Sequence, residues 1–223
     1  MNDVKKAFQL MKYTIRFKTN GVMLLLFFAI GASVEILGNG TNFLGGFYFV
    51  MVGMFMAQMV IMLTVADLVQ VSPYKKAFQV KVPVLCNLAM ELVMYTLYLV
   101  VHSIILKPDQ PEVFLSQMLV VIVVGLLIVA TNFFLAICYK YYWLGFIIFF
   151  PCVMAVSAGG STMEHMIRIG SFPDLKLTYG ASILIGYVCI LLGSVINYVI
   201  ANALYKKPLD KVSYKSALQK INK

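Results

Sequence analysis

Long apolar runs, separated by short polar breaks, repeat along almost the whole chain. A run of about 17 residues or more can cross the roughly 30 Å hydrocarbon core of a bilayer as a helix. The breaks carry glycines, prolines and charged residues, which end helices at a membrane surface. The pattern predicts an all-α integral membrane protein with six transmembrane helices, at 21–37, 43–69, 82–106, 113–139, 144 to about 157, and 177–204.

The fifth apolar run is shorter than the others. Only about fourteen residues separate Leu144 from the sequence AGGST, and Pro151 lies among them. The stretch that follows, MEHMIRIGSFPDLKL, mixes apolar and polar residues. It predicts a short re-entrant or outer-leaflet segment between helices five and six, whose backbone protein must cover.

The first twenty residues are basic and amphipathic. Apolar residues at positions 4, 8, 11 and 15 share one helical face, and polar or basic residues follow each of them. Residues 1–20 are therefore predicted to form an interfacial helix with its cations near anionic lipid. A secretory signal peptide is the alternative, but the charged region and the apolar run after it are both long for one.

Composition and charge support one membrane domain over residues 1–223. Hydrophobic residues make up 61% of the chain and charged residues 12%, against roughly half and a quarter in soluble domains. The net charge of +9 sits at the ends and in one break, so it indicates topology rather than nucleic-acid binding. Fifteen Lys or Arg fall in the segments predicted to be cytoplasmic and three in the outer loops. This predicts a multi-pass plasma-membrane protein with both termini, residues 70–82 and the basic tail 205–223 in the cytoplasm.

Motifs for nucleotide, metal or hydrolytic chemistry are not found. The sequence has no GxxxxGK[ST] loop, so ATP hydrolysis would belong to another subunit. It has no HExxH, and its four cysteines lie far apart in apolar runs, which suggests neither a metal site nor a disulfide framework. We therefore expect no catalytic residue, no metal and no cofactor in this chain.

Polar residues inside the apolar runs are the candidates for function. Glu91 lies within the third predicted helix, with Asn87 one turn before it, and a carboxylate in hydrocarbon costs several kcal/mol unless it faces protein or water. It is either a polar point in a translocation path or part of a structural hydrogen-bond cluster. Glu35 and His102 lie near outer helix ends and are expected to reach the interface. The candidate path residues are Glu91, Asn87, Gln58, Asn132 and Asn197.

Small and polar residues form a stripe along the sixth predicted helix. Ser182, Gly186, Gly193 and Asn197 fall on one face. Such stripes let helices approach closely. Packing within the chain and a dimer seam are both open interpretations.

The break between the second and third helices, DLVQVSPYKKAFQVKVP, is too short for a domain. Pro73 is suited to a first helical turn. The segment predicts a short amphipathic helix at the membrane surface, with aromatic and basic groups facing the cytoplasm. The plainer interpretation is a basic loop that obeys the positive-inside rule.

This break, in its context, resembles a known family. VSPYKKAFQVKV is similar to the LPVSRKEFVLGK-like segment that follows the second helix in permease subunits of ABC-2 type transporters. The basic N-terminal helix, short fifth helix and basic tail fit the same architecture. The resemblance is to compact bacterial permeases that export amphipathic peptides. It implies a coupling helix formed by Ser72, Pro73, Tyr74, Lys75, Lys76 and Phe78.

The resemblance also implies partners and cargo. Cytoplasmic ABC ATPase subunits would bind ATP and Mg, and a second permease subunit, identical or different, would complete the path among membrane lipids. The cargo would be an amphipathic peptide, a lipid or a hydrophobic drug. The alternatives are a membrane-embedded lipid-modifying enzyme and a non-transporting scaffold or sensor.

Overall fold

The computed structural model describes residues 17–64, 75–138, 140–169 and 177–207. All regular structure in these ranges is helical, which confirms the all-α class. We number the α-helices in chain order. They are α1 (Phe17–Leu37), α2 (Phe43–Thr64), α3 (Val82–Ile104), α4 (Pro111–Cys138), α5 (Tyr142–Arg168) and α6 (Tyr179–Leu204); one π-helical turn, Ala77–Lys81, leads into α3.

Within the described ranges, four helical stretches are long and apolar enough to cross a membrane, as expected for a membrane protein. They are Ala77–Ile104, Pro111–Cys138, Trp143–Ile167 and Tyr179–Leu204. The apolar stretches of α1 and α2 within the described part are shorter, Gly21–Leu37 and Phe43–Ala57. The number of crossings, six, stays a prediction. Residues 1–16 of the interfacial helix predicted for 1–20 lie outside the described residues, as do residues 208–223 of the basic tail.

Helix α4 is the centre of the bundle. It packs against α2, α5 and α6, and more of it is buried than of the other long helices. Helix α3 fits between α2 and α6, and α1 packs on α2. Because every helix here is apolar, burial of one face does not drive the assembly in lipid, and shape has to select the contacts. The largest core cluster joins α2, α3, α4 and α6 through Phe49, Tyr95, Tyr98, Val121 and Ile190.

The stripe on α6 packs within the chain. Ser182, Gly186, Gly193 and Asn197 are all buried, and α6 lies along α4 and α3. A Cβ on Gly125 of α4 would stand 3.0 Å from the Gly186 Cα, so the two backbones come into close contact. The stripe is therefore a seam inside the chain, and its interpretation as a dimer seam is wrong.

The prediction that the fifth helix ends near AGGST is wrong. Helix α5 continues through that sequence to Arg168 and includes Pro151. The hydroxyls there bond to the preceding turn: Ser157 Oγ donates to Val153 O at 2.7 Å, and Thr162 Oγ1 donates to Ala158 O at 2.7 Å. Small polar residues satisfied in this way do not end a helix. Met163–Arg168, expected to fold back, thus forms the last turns of α5, and residues 170–176 lie outside the described part.

Candidate functional site within the helix bundle

A carboxylate and three amides meet inside the bundle. Asn132 Nδ2 of α4 lies 2.7 and 2.8 Å from the two oxygens of Glu91, so it can donate to both. Asn87 Nδ2 lies 2.9 Å from Glu91 Oε1 and 2.9 Å from Asn132 Oδ1. Asn197 Nδ2 of α6 donates to the same Asn132 Oδ1 at 3.1 Å. We call these four residues the Glu91 cluster. It brings together four of the five candidate path residues; the side chain of the fifth, Gln58 of α2, is outside the described part.

The spacing along α3 and α6 builds this cluster. Asn87 and Glu91 are four residues apart, so both face α4 from adjacent turns. Gly193 makes room on α6, where a Cβ would stand 2.9 Å from Asn132 Nδ2. All four side chains are at most 5% exposed. Amide donors aimed at a buried carboxylate stabilise its negative charge, while the surrounding apolar helices oppose it.

A second buried site joins α1 to α3. His102 Nδ1 lies 2.6 Å from Glu35 Oε1, and both side chains have no exposed surface. The hydroxyl of Tyr98 lies 3.4 Å from the same ring nitrogen, and Tyr179 of α6 stacks against the imidazole with ring centroids 6.2 Å apart. The expectation that Glu35 and His102 reach the interface is therefore wrong, because both side chains are enclosed within the bundle.

Two glycines explain why this pair is enclosed. A Cβ on Gly45 of α2 would collide with the Glu35 carboxylate and stand 2.9 Å from its Cα. Gly40 follows α1 with φ of 64°, a conformation that favours glycine, and a Cβ there would stand 2.9 Å from the His102 ring. The turn after α1 can thus close over the pair. The two glycines were visible in the sequence, but the partners they admit were not.

Gln117 joins two turns at the same end. Its Nε2 donates to Asn39 O at 2.8 Å and to Ile105 O at 2.9 Å, and its Oε1 accepts from Lys107 N at 3.1 Å. Lys107 Nζ donates to Asn39 Oδ1 at 2.9 Å. Nothing in the apolar pattern singled out Gln117, because a glutamine near a helix start usually faces water.

A cavity of about 120 Å³ opens at this end, between α2, α4 and α5. Its described lining combines apolar side chains with hydroxyls and the Asn42 amide in similar proportion. Such a surface suits an apolar or weakly polar group. Its lining includes Thr41, Leu44, Ser116, Val123, Ser161 and Ile167.

At the opposite end, the candidate coupling residues fall partly within the described part. Ser72, Pro73 and Tyr74 lie outside it. Lys75 and Lys76 are helical and continue through the π-helical turn into α3 without a break. Phe78 packs against Met59, Val60, Val82 and Cys86 rather than standing free.

The π-helical turn also contacts the end of α6. Val80 is buried with Ala201 and Tyr205, and Lys76 Nζ lies 5.8 Å from the centre of the Tyr205 ring. Lys140, between α4 and α5, donates from Nζ to Lys207 O at 2.6 Å and lies 3.3 Å from Tyr205 O. Burial, with a smaller contribution from the charge of Lys75, lowers the pKa of Lys140 to about 8. Four helices therefore converge at this end.

No group of three or more His, Cys, Asp or Glu that could hold a metal occurs among the described residues. The expectation of a chain without metal or cofactor stays a prediction. Comparison with models of known protein families, with curated proteins and with solved structures finds no match.

Proposed function

We propose that the chain is the permease subunit of an ABC-2 type exporter in a bacterial plasma membrane. Two permease subunits and two cytoplasmic ATPase subunits, which bind ATP and Mg, would form the transporter. The observation that carries the proposal is the continuity of Lys75–Lys81 with α3. A force applied to the basic segment would act directly on the helix that holds Glu91.

Three contacts support this mechanical link. The π-helical turn, a local widening often found at functional sites, packs on α6 through Val80 and Ala201. Lys76 lies over Tyr205, and the Tyr205 carbonyl lies near Lys140. Movement of the segment would therefore reach α6 and the α4–α5 connection together with α3.

The interior supports transport of an amphipathic molecule. The cavity of about 120 Å³ offers apolar side chains, hydroxyls and an amide at the predicted outer end. The Glu91 cluster offers hydrogen-bonding groups deeper in the bundle. A peptide, lipid or hydrophobic drug needs both kinds of surface.

The test is purification of the tagged chain from its native host in mild detergent. Mass spectrometry should find a co-purifying ATPase with a phosphate-binding loop, and the complex should hydrolyse ATP. Lys75→Glu with Lys76→Glu should reduce recovery of the ATPase, because basic rim residues assist docking. Phe78 is a poor probe since its loss would open the core it packs in.

Lys107→Glu is the matched control. It changes a lysine at the opposite end of the bundle, so ATPase recovery should equal that of the unmodified chain. If no such ATPase co-purifies, or if the double lysine variant recovers it fully, the exporter proposal or its coupling element fails. If no ATPase co-purifies with the unmodified chain, the enzyme or scaffold alternatives are favoured.

A further inference from the structure

Lysines from three parts of the chain meet at the end of α6. Lys76 Nζ lies 5.8 Å from the centre of the Tyr205 ring, within the range of a cation–π contact. Lys140 Nζ donates to Lys207 O at 2.6 Å and lies 3.3 Å from Tyr205 O. These carbonyls follow the last turn of α6, so the buried Lys140 ammonium holds the chain there in place.

Three lysines of this group face outward. Lys76, Lys206 and Lys207 are exposed, and within the described ranges none of them forms an ion pair. We call them the exposed lysines. The acids of the described ranges lie inside the bundle or toward its opposite end: Glu35, Glu91, Asp109, Glu112 and Glu164. A cluster of cations at such a distance from these acids attracts an anion.

An exposed apolar face of α6 leads to the exposed lysines. Val195 and Val199 are each 58% exposed. They precede Lys206 by eleven and seven residues, which is the spacing of one helical face. On α5, Trp143 comes three residues after Lys140 and is 62% exposed, as is typical of tryptophan at the level of lipid headgroups. The surface thus offers positive charge at headgroup level and an apolar face beside it.

We propose that the exposed lysines bind the phosphate of an anionic phospholipid, with an acyl chain lying along Val195 and Val199. The lysine ammonium groups donate charge-assisted hydrogen bonds to the phosphate oxygens. A lipid with net negative charge is preferred to phosphatidylcholine, whose choline cation the lysines repel. An acidic segment of a partner protein would match the charge but would leave the apolar face uncovered.

The bound lipid would connect two elements. Lys76 directly precedes the π-helical turn, and Lys206 and Lys207 follow α6. The lipid would therefore strengthen the contact that Val80 and Ala201 already make between them. The site depends on this chain and the membrane alone, so lipid binding holds or fails whether or not an ATPase is found.

The experiment measures lipid binding to the full chain, purified in mild detergent and stripped of native lipid, by native mass spectrometry. Equal amounts of phosphatidylglycerol and phosphatidylcholine with the same acyl chains are added. The chain should retain about ten times more phosphatidylglycerol than phosphatidylcholine. Lys206→Gln with Lys207→Gln should lower the retention of phosphatidylglycerol about tenfold and leave that of phosphatidylcholine unchanged. This variant keeps the carbonyls that Lys140 bonds, and it leaves Lys76 intact.

Lys107→Gln with Lys176→Gln is the matched control. It removes the same charge from segments predicted to lie on the other side of the membrane, so retention of phosphatidylglycerol should not change. Lys206→Arg with Lys207→Arg keeps the charge and should retain the lipid. Elution volume and helical circular dichroism establish that each variant is folded.

Glycerol phosphate, which has the anionic group without acyl chains, should not displace bound phosphatidylglycerol. Displacement would identify a site for free phosphate and overturn the lipid proposal. Equal retention of the two lipids would also overturn it. So would unchanged phosphatidylglycerol retention in folded Lys206→Gln with Lys207→Gln, or an equal loss in the control.

Discussion

At the scale of single residues, the Glu35–His102 pair is fully enclosed by the bundle. Removing one partner leaves the other buried and incompletely bonded. Glu35→Gln or His102→Gln should each lower the free energy of unfolding by about 3 kcal/mol. The double variant should lose less than the sum, by about 1–3 kcal/mol, because the two side chains interact directly.

The measurement is denaturation in detergent of the unmodified chain, the two single variants and the double variant. Glu112→Gln is the control, an exposed acid in the first turn of α4, and should change stability by no more than about 0.5 kcal/mol. Additive losses in the double variant would mean that the pair contributes no coupling.

Lys140 gives a prediction in pH. Its pKa is about 8 in the fold and 10.5 ordinarily, so the unfolded chain binds more protons between those values. The free energy of unfolding therefore rises with pH across this window. Below about pH 8 Lys140 is charged in both states, so this residue no longer makes stability depend on pH. Relative to Lys140→Gln, the native chain should gain Tm between about pH 7.5 and pH 9.5. The prediction is refuted if the Tm of the native chain minus the Tm of Lys140→Gln stays constant or falls as the pH rises.

At the scale of elements, α6 depends on the absence of a side chain at one position. A Cβ on Gly186 would collide with the Tyr95 hydroxyl. Gly186→Ala should therefore cost about 1–3 kcal/mol in a packed interior. Tyr95→Phe in the same chain should recover part of the loss, because it removes the atom that collides.

Gly180→Ala in the same helix is the comparison. Its Cβ would meet nothing within 4 Å, so it should be neutral or stabilise by up to about 1 kcal/mol through helix propensity. Thermal unfolding of the three variants separates the effects. Equal effects at positions 180 and 186 would show that close packing at Gly186 is not limiting.

The elements themselves were largely predictable. The start of α2 and the ends of α1, α4 and α6 fall within about a residue of the apolar runs, because in lipid the backbone must bond internally along each run. The length of α5 was not predictable. Its serine and threonine hydroxyls bond back along the helix, but in the sequence the same residues, next to two glycines, are typical of a loop. For the Glu91 cluster, the sequence identified polar residues but not which of them meet. The enclosure of His102 depends on a turn that closes over it.

At the scale of the whole molecule, orientation is the outstanding prediction. The distribution of fifteen and three Lys or Arg predicts that the α3–α4 turn faces outward. A cysteine at position 109 should react with a membrane-impermeant maleimide in intact cells, and one at position 206 should react only after lysis. Three of the four native cysteines are buried, and Cys152→Ser removes the remaining one from the background. Labelling of position 206 in intact cells would reverse the topology.

The order of partners along the chain matters during synthesis. His102 emerges from the ribosome after its partner Glu35, whereas Glu91 emerges 41 residues before Asn132. At the usual elongation rate of about 5–20 residues per second, α3 waits roughly 2–8 s for Asn132. During that interval the insertion machinery has to shelter an uncovered carboxylate. Nascent chains that stop before α4 should therefore remain bound to that machinery instead of entering the lipid.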